Sequence, residues 1–135
     1  MRVRLKRTVE ADDMISLHNL FVDIGGAKQY PVLGLFFPES SDFSGCYICI
    51  ADDRYDNYDP ETSSFEPYPV WLPISDFEIR DKKLPNDWEI GFWKDEISGT
   101  LISFQEWVED DSLYAKLVDG DRQSQRVLLK HLTGA

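Results

Sequence analysis

At 135 residues, with 42% hydrophobic and 13% aromatic content, the chain fits one domain spanning residues 1–135 and excludes a wholly disordered polymer. A formal net charge of -11 at pH 7 makes nucleic acid and anionic membrane poor partners. The charge is concentrated: residues 38–111 hold 19 of the 25 acids and 5 of the 14 bases, a local balance of -14, while the two flanks together carry +3. Such a field steers cationic partners and makes their association rate fall with salt.

The N-terminal "MRVRLKRTVEADD" has the basic start of a signal peptide without an apolar stretch after it, and no apolar run approaches the roughly 20 residues of a spanning helix. A cytoplasmic protein is expected. Residues 2–9 alternate apolar and basic side chains, which predicts a strand with Val3 and Leu5 inward and Arg2, Arg4 and Lys6 on a wet face. In 12–24, Asp12 or Asp13 as N-cap and Met14, Leu17, Phe21 and Ile24 at helical spacing fit a short helix, and "LFVDI" fits a strand turning at Gly25 and Gly26.

"KQYPVLGLFF" and "GCYICIADD", separated by "PESSDFSG", predict two antiparallel strands, with Pro31 marking an edge position or a strand start. Cys46 and Cys49 lie three apart in a strand, so they point to opposite faces and read as structural thiols, not a redox pair. "PVWLPISDFEIRD" predicts a strand broken at Pro73, and "DWEIGFWKD" another. The last third takes a helical period. Ser103 and Glu106 have capping-box spacing, with Phe104, Trp107 and Val108 on one side of the following turn. Asp121 fits the cap of a final helix, "RQSQRVLLKHL". Strands first and helices last imply an α+β domain.

No catalytic set stands out. His18 and His131 are the only histidines, each beside a leucine in an amphipathic stretch, and phosphate loops, G-x-S-x-G and zinc spacings are absent from the sequence. No cofactor and no metal are therefore expected. The EF-hand register fails in "DDRYDNYDPE": starting at Asp52 puts Arg54 at the third ligand position, and starting at Asp53 puts Tyr58 where glycine belongs. An irregular calcium loop, a solvated loop and a cation-gripping surface remain as readings of residues 51–71. The aromatics there decide the preference. Phe65 and Trp71 are expected to pack on the core, whereas Tyr55 and Tyr58, interleaved with Asp52, Asp53, Asp56, Asp59 and Glu61, would present rings beside carboxylates. That pairing suits lysine and arginine side chains. Glu106, Glu109, Asp110 and Asp111 form a second candidate patch, crowded at a helix end where acids are electrostatically disfavoured.

The order of "YPVLGL" at 30–35, "CYICIADD" at 46–53, "LPISDFEIRDKKLPNDW" at 72–88 and "SFQEWVEDD" at 103–111 resembles bacterial immunity proteins of polymorphic-toxin and contact-dependent-inhibition systems. The resemblance spans residues 28–111. It implies a strongly bent antiparallel sheet or small Src-homology-3-like barrel with short terminal helices. It also implies a non-enzymatic function: binding a cognate, basic, nuclease-type toxin and occluding its active site. A small acidic adaptor, and an enzyme or calcium-binding protein, are the alternatives.

Overall fold

The computed structural model describes residues 1–6, 24–39, 45–64, 67–94 and 98–133. The helix-or-strand expectation for 12–24, apart from Ile24, and the placement of His18 and Phe65 lie outside the described residues. Among the described residues the architecture is α+β: a curled, open antiparallel sheet of seven strands followed, in the last third, by three short helices. The strands are β1 (Arg2–Leu5), β2 (Gln29–Pro38), β3 (Tyr47–Ile50), β4 (Val70–Pro73), β5 (Phe77–Asp81), β6 (Trp88–Lys94) and β7 (Ser98–Phe104). The helices are α1 (Gln105–Glu109), α2 (Leu113–Val118) and α3 (Arg122–Thr133). Among the described residues no helix is long and apolar enough to cross a membrane.

Strand β2 organises the sheet. Along one edge Val32 to Phe36 pair with β3; along the other, Gln29 to Pro31 pair with β1 and Gly34 to Pro38 pair with β7. One edge therefore feeds two wings, β1–β5 and β7–β6, and the sheet has to curl apart where they diverge.

Period-two alternation builds two cores. Val3 and Leu5, with Ile48, Ile50, Val70, Leu72 and Phe77, fill the first, where Ile24 also lies. Cys49, Ala51, Leu101 and Trp93 face the second, against the helices. Cys46 packs on the first core and Cys49 sits in the second; both are free thiols on opposite faces, as their spacing requires. Pro31 sits near the start of β2, opposite Arg2.

The helices close the second core. Trp107 of α1 is fully buried, with Leu113 and Leu117 from α2 and Leu128 from α3. Gly120, at φ 80, takes the left-handed turn that ends α2. Asp121 caps α3 as expected, its carboxylate accepting from Ser124 N at 2.9 Å and Ser124 Oγ at 2.6 Å. The capping box is corrected. Residues 98–104 form a strand, so Ser103 is a ladder residue whose hydroxyl donates to the Leu33 carbonyl at 2.6 Å, and Phe104 precedes α1 with no side-chain cap.

At Gly99, where β7 meets the end of β2, an added methyl group would strike the Phe37 carbonyl oxygen and the Phe36 ring. Gly99→Ala should therefore destabilise the fold by about 1–3 kcal/mol. Gly26→Ala, which meets nothing within 4 Å, should stay within about 1 kcal/mol of the parent. Urea unfolding of both variants is the check.

Candidate functional site

The acidic, aromatic loop is built inward. Asp52 follows β3 and is 1% exposed; both its carboxylate oxygens lie 2.9 Å from Arg54 Nε, and Oδ1 also accepts from Arg54 N at 3.2 Å. Arg54 Nη2 donates to the Tyr68 carbonyl at 2.9 Å, and its guanidinium lies 4.8 Å from the Tyr68 ring centroid. These contacts shape the 3-10 turn Asp53–Tyr55, which buries Tyr55. The Tyr55 hydroxyl rests 3.1 Å from the Pro67 carbonyl and 3.2 Å from Gln125 Oε1, and burial pushes its pKa up. Tyr58 meets Tyr55 edge-on at 5.8 Å and is half-buried.

The expectation that Asp52 and Tyr55 face a partner is thus corrected. An ion pair with an arginine two residues away lets Asp52 go inside, and burial rewards the Tyr55 ring more than exposure does.

Of the remaining loop acids, Asp53, Asp56 and Glu61 are held by cations of the same chain. Lys28 Nζ lies 2.6 Å from Asp53 and 2.7 Å from Asp56, and 5.3 Å from the Tyr30 ring. The Asp53 hydrogen bond, then that of Asp56, raises the Lys28 pKa. Tyr30 also donates to Asp53, at 2.9 Å. Glu61 pairs with Arg126 of α3, and Asp59 accepts from Glu61 N at 2.9 Å within its own turn. A cation set between carboxylates and over a ring is indeed the chemistry of this loop, and Lys28 supplies it internally. Asp56, Asp59 and Glu61 stay exposed.

The second acid set divides. Glu106 lies in the first turn of α1, with Oε2 2.6 Å from His131 Nε2 and 3.6 Å from Lys130 Nζ. Partial desolvation works to raise the Glu106 pKa, but the His131 hydrogen bond and the charges of His131 and Lys130 bring it below the ordinary value. His131 stacks on Phe104 at 3.9 Å. Together with Trp88 and Asp87 these groups line a cleft of about 450 Å³.

Asp110 accepts from Ser112 N at 3.0 Å, Ser112 Oγ at 2.5 Å and Lys116 Nζ at 2.9 Å, contacts that lower its pKa. Crowding at a disfavoured helix end is therefore corrected for Glu106, which lies at the end where acids are favoured, whereas Asp110 does stand at the C-terminal end of α1 and turns its carboxylate to Ser112 before α2. Glu109 accepts from Gln105 at 2.9 Å, and Glu109 and Asp111 are exposed.

Sequence reasoning missed an apolar surface on the β7–β6 wing. Ile90 is 74% exposed, Phe92 50% and Phe37 42%. The register aligns Phe92, Thr100 and Phe37 in one row across β6, β7 and β2, and Ile90, Ile102 and Leu35 in the next. The signal in "WEIGFWK" is apolar residues on both faces of one strand. Gly91 and Trp93 turn toward α1 and the second core, leaving Ile90 and Phe92 outside. Exposed Asp87, Glu89 and Glu39 lie nearby in the chain or sheet, and Lys94 Nζ sits 6.0 Å from the Phe92 ring. Among the described residues, no three His, Cys, Asp or Glu side chains converge as a metal-holding group.

Arg54→Ala should cost about 3–5 kcal/mol, because it removes the guanidinium that balances the buried Asp52 charge, whereas Asp56→Asn should cost under about 1 kcal/mol. Denaturant midpoints separate the two. The carboxyls of Glu106, Asp110 and Asp121 titrate below their ordinary values of 4.5, 3.8 and 3.8. Their stabilisation is complete above those values and drains away as pH falls through the lower folded ones, so the urea midpoint should be level above about pH 5 and drop below about pH 4.

No family model, no curated protein and no solved structure matches the chain.

Proposed function

We propose that the chain is a protein-binding inhibitor of the immunity type, which neutralises a cognate, basic toxin domain in the cytoplasm by covering its active site. The observation that carries this reading is the apolar patch of Phe37, Ile90 and Phe92, left exposed on a domain of net charge -11. Apolar side chains grouped on a polar surface mark interaction sites, because removing them from water is favourable. Aromatic and aliphatic anchors of this kind supply affinity, and surrounding carboxylates supply speed and selectivity. Asp56, Asp59, Glu61, Glu89, Glu109 and Asp111 are the exposed carboxylates that would do so. The overall excess of acid supports a basic partner, such as a nuclease groove that ordinarily receives a polyanion.

A second reading rests on the 450 Å³ cleft, whose size and paired Glu106 and His131 suit a small molecule or acid–base chemistry. An adaptor without a toxic partner is separated by gene context.

The test is to purify the chain and the protein encoded beside it and to measure their association. Ile90→Ser with Phe92→Ser should weaken binding by at least about tenfold, with the thermal midpoint unchanged. Replacing Asp56, Asp59 and Glu61 by their amides should slow association at low salt and leave dissociation nearly unchanged. Affinity indifferent to Ile90, Phe92 and salt, but lost in His131→Ala, would move the site to the cleft.

A further inference from the structure

The three strands at the ends of the sheet wings are not equivalent. β4 is four residues long, ends at Pro73 and follows Pro67 and Pro69. β5 meets β1 across a register shift and finishes in exposed Arg80 and Asp81. Prolines, irregular register and charges are the usual guards of a sheet edge, since they make its backbone groups a poor template for another strand.

β6 carries fewer of these guards, Glu89 being its one charge before the last position. It runs seven residues in unbroken register with β7, contains no proline and carries a lysine only at its last position. Among the described residues it pairs with β7 alone. Its two faces differ in chemistry. On one face lie the exposed Ile90 and Phe92, with Phe37 two strands away. On the other lies exposed Glu89, followed by Gly91 against Val108 of α1, where Asp111 lines a shallow hollow with Gly91 and Trp93.

We infer that β6 is the acceptor edge for an extended segment of the partner, which adds to the sheet as a further strand and alternates apolar with basic side chains. The inference rests on the protein-binding reading above. Alternation follows from the pleat: successive side chains of an added strand fall on opposite faces, one row beside Ile90 and Phe92, the other beside Glu89 and Asp111. Backbone hydrogen bonds supply docking, and the two rows supply selectivity. Charge complementarity selects a basic segment over a second copy of this chain, which would bring another net charge of -11 to the contact.

The probe is a synthetic seven-residue peptide of alternating lysine and valine, compared with its glutamate–valine counterpart and with a version carrying a central proline. The lysine peptide should bind at least about tenfold tighter than either. It should slow amide hydrogen exchange along β6, and it should lose at least about tenfold in affinity to Ile90→Lys, an exposed position at which folding is retained. Failure of the lysine peptide to bind, equal binding of the glutamate peptide, or unprotected β6 amides would each overturn the inference. So would a homodimer that Ile90→Lys dissolves, because the occupant would then be a second copy. If the neighbouring gene's protein binds without protecting β6, strand addition fails and the inhibitor reading stands. If that protein does not bind but the lysine peptide docks on β6, the inhibitor reading fails and strand addition stands.

Discussion

The sharing of one edge of β2 between β1 and β7 constrains everything else in this domain. An edge can hold one neighbour per residue, so residues 29–31 and 34–38 send the sheet off in two directions. The β1–β5 wing supplies Val3, Leu5 and Phe77 to the first core. The β7–β6 wing supplies Leu101 and Trp93 to the second and leaves Ile90 and Phe92 of its opposite face exposed. Ile102 still packs against the first core, but Ile90, one strand further out, does not. The exposed apolar patch is a direct consequence of where the sheet divides.

The helical third of the chain depends on the same division. α1 docks where Gly91 leaves room for Val108, and Trp107 then enters a cluster with Trp71, Trp93 and Tyr114 at centroid separations of 5.4 to 6.5 Å. The indole N–H groups of Trp71, Trp93 and Trp107 are buried without an oxygen acceptor. Ring faces are weaker acceptors than carbonyls, and the tilted and edge-on contacts of the cluster offset only part of that cost. Dense aromatic packing is favoured here over polar satisfaction.

Electrostatics divides the acids by role. Asp52, Asp53, Glu106 and Asp110 are engaged by Arg54, Lys28, His131 with Lys130, and Lys116, which fixes the loop and the helix ends. An acid committed in this way would have to surrender an existing partner before it could bind a new one. Asp59, Glu89, Glu109 and Asp111, all exposed, carry no such commitment to a cation in the ion pairs above. The surface field that a basic partner would meet therefore comes from the second group together with the paired but exposed Asp56 and Glu61, and the first group maintains the scaffold.

Local signals were legible in the sequence. Alternation located β1, β-branched and aromatic runs located β2, β3 and β6, the Asp121 cap located α3, the spacing of Cys46 and Cys49 separated the two faces, and the order of elements indicated α+β. These follow from the period of the chain and from contacts within a few residues. Strand β7 was obscured because "SGTLISF" runs directly into a helix, and Ser103 fits a cap as well as a ladder. Which acids stay free and which apolar face stays bare was decided only by tertiary structure. Lys28 reaches Asp53 across 25 residues and Arg126 reaches Glu61 across 65, and whether Ile90 or Trp93 is covered depends on where α1 lands. A sequence specifies the charges and the two faces of a strand. Only long-range closure of the chain assigns a partner to each.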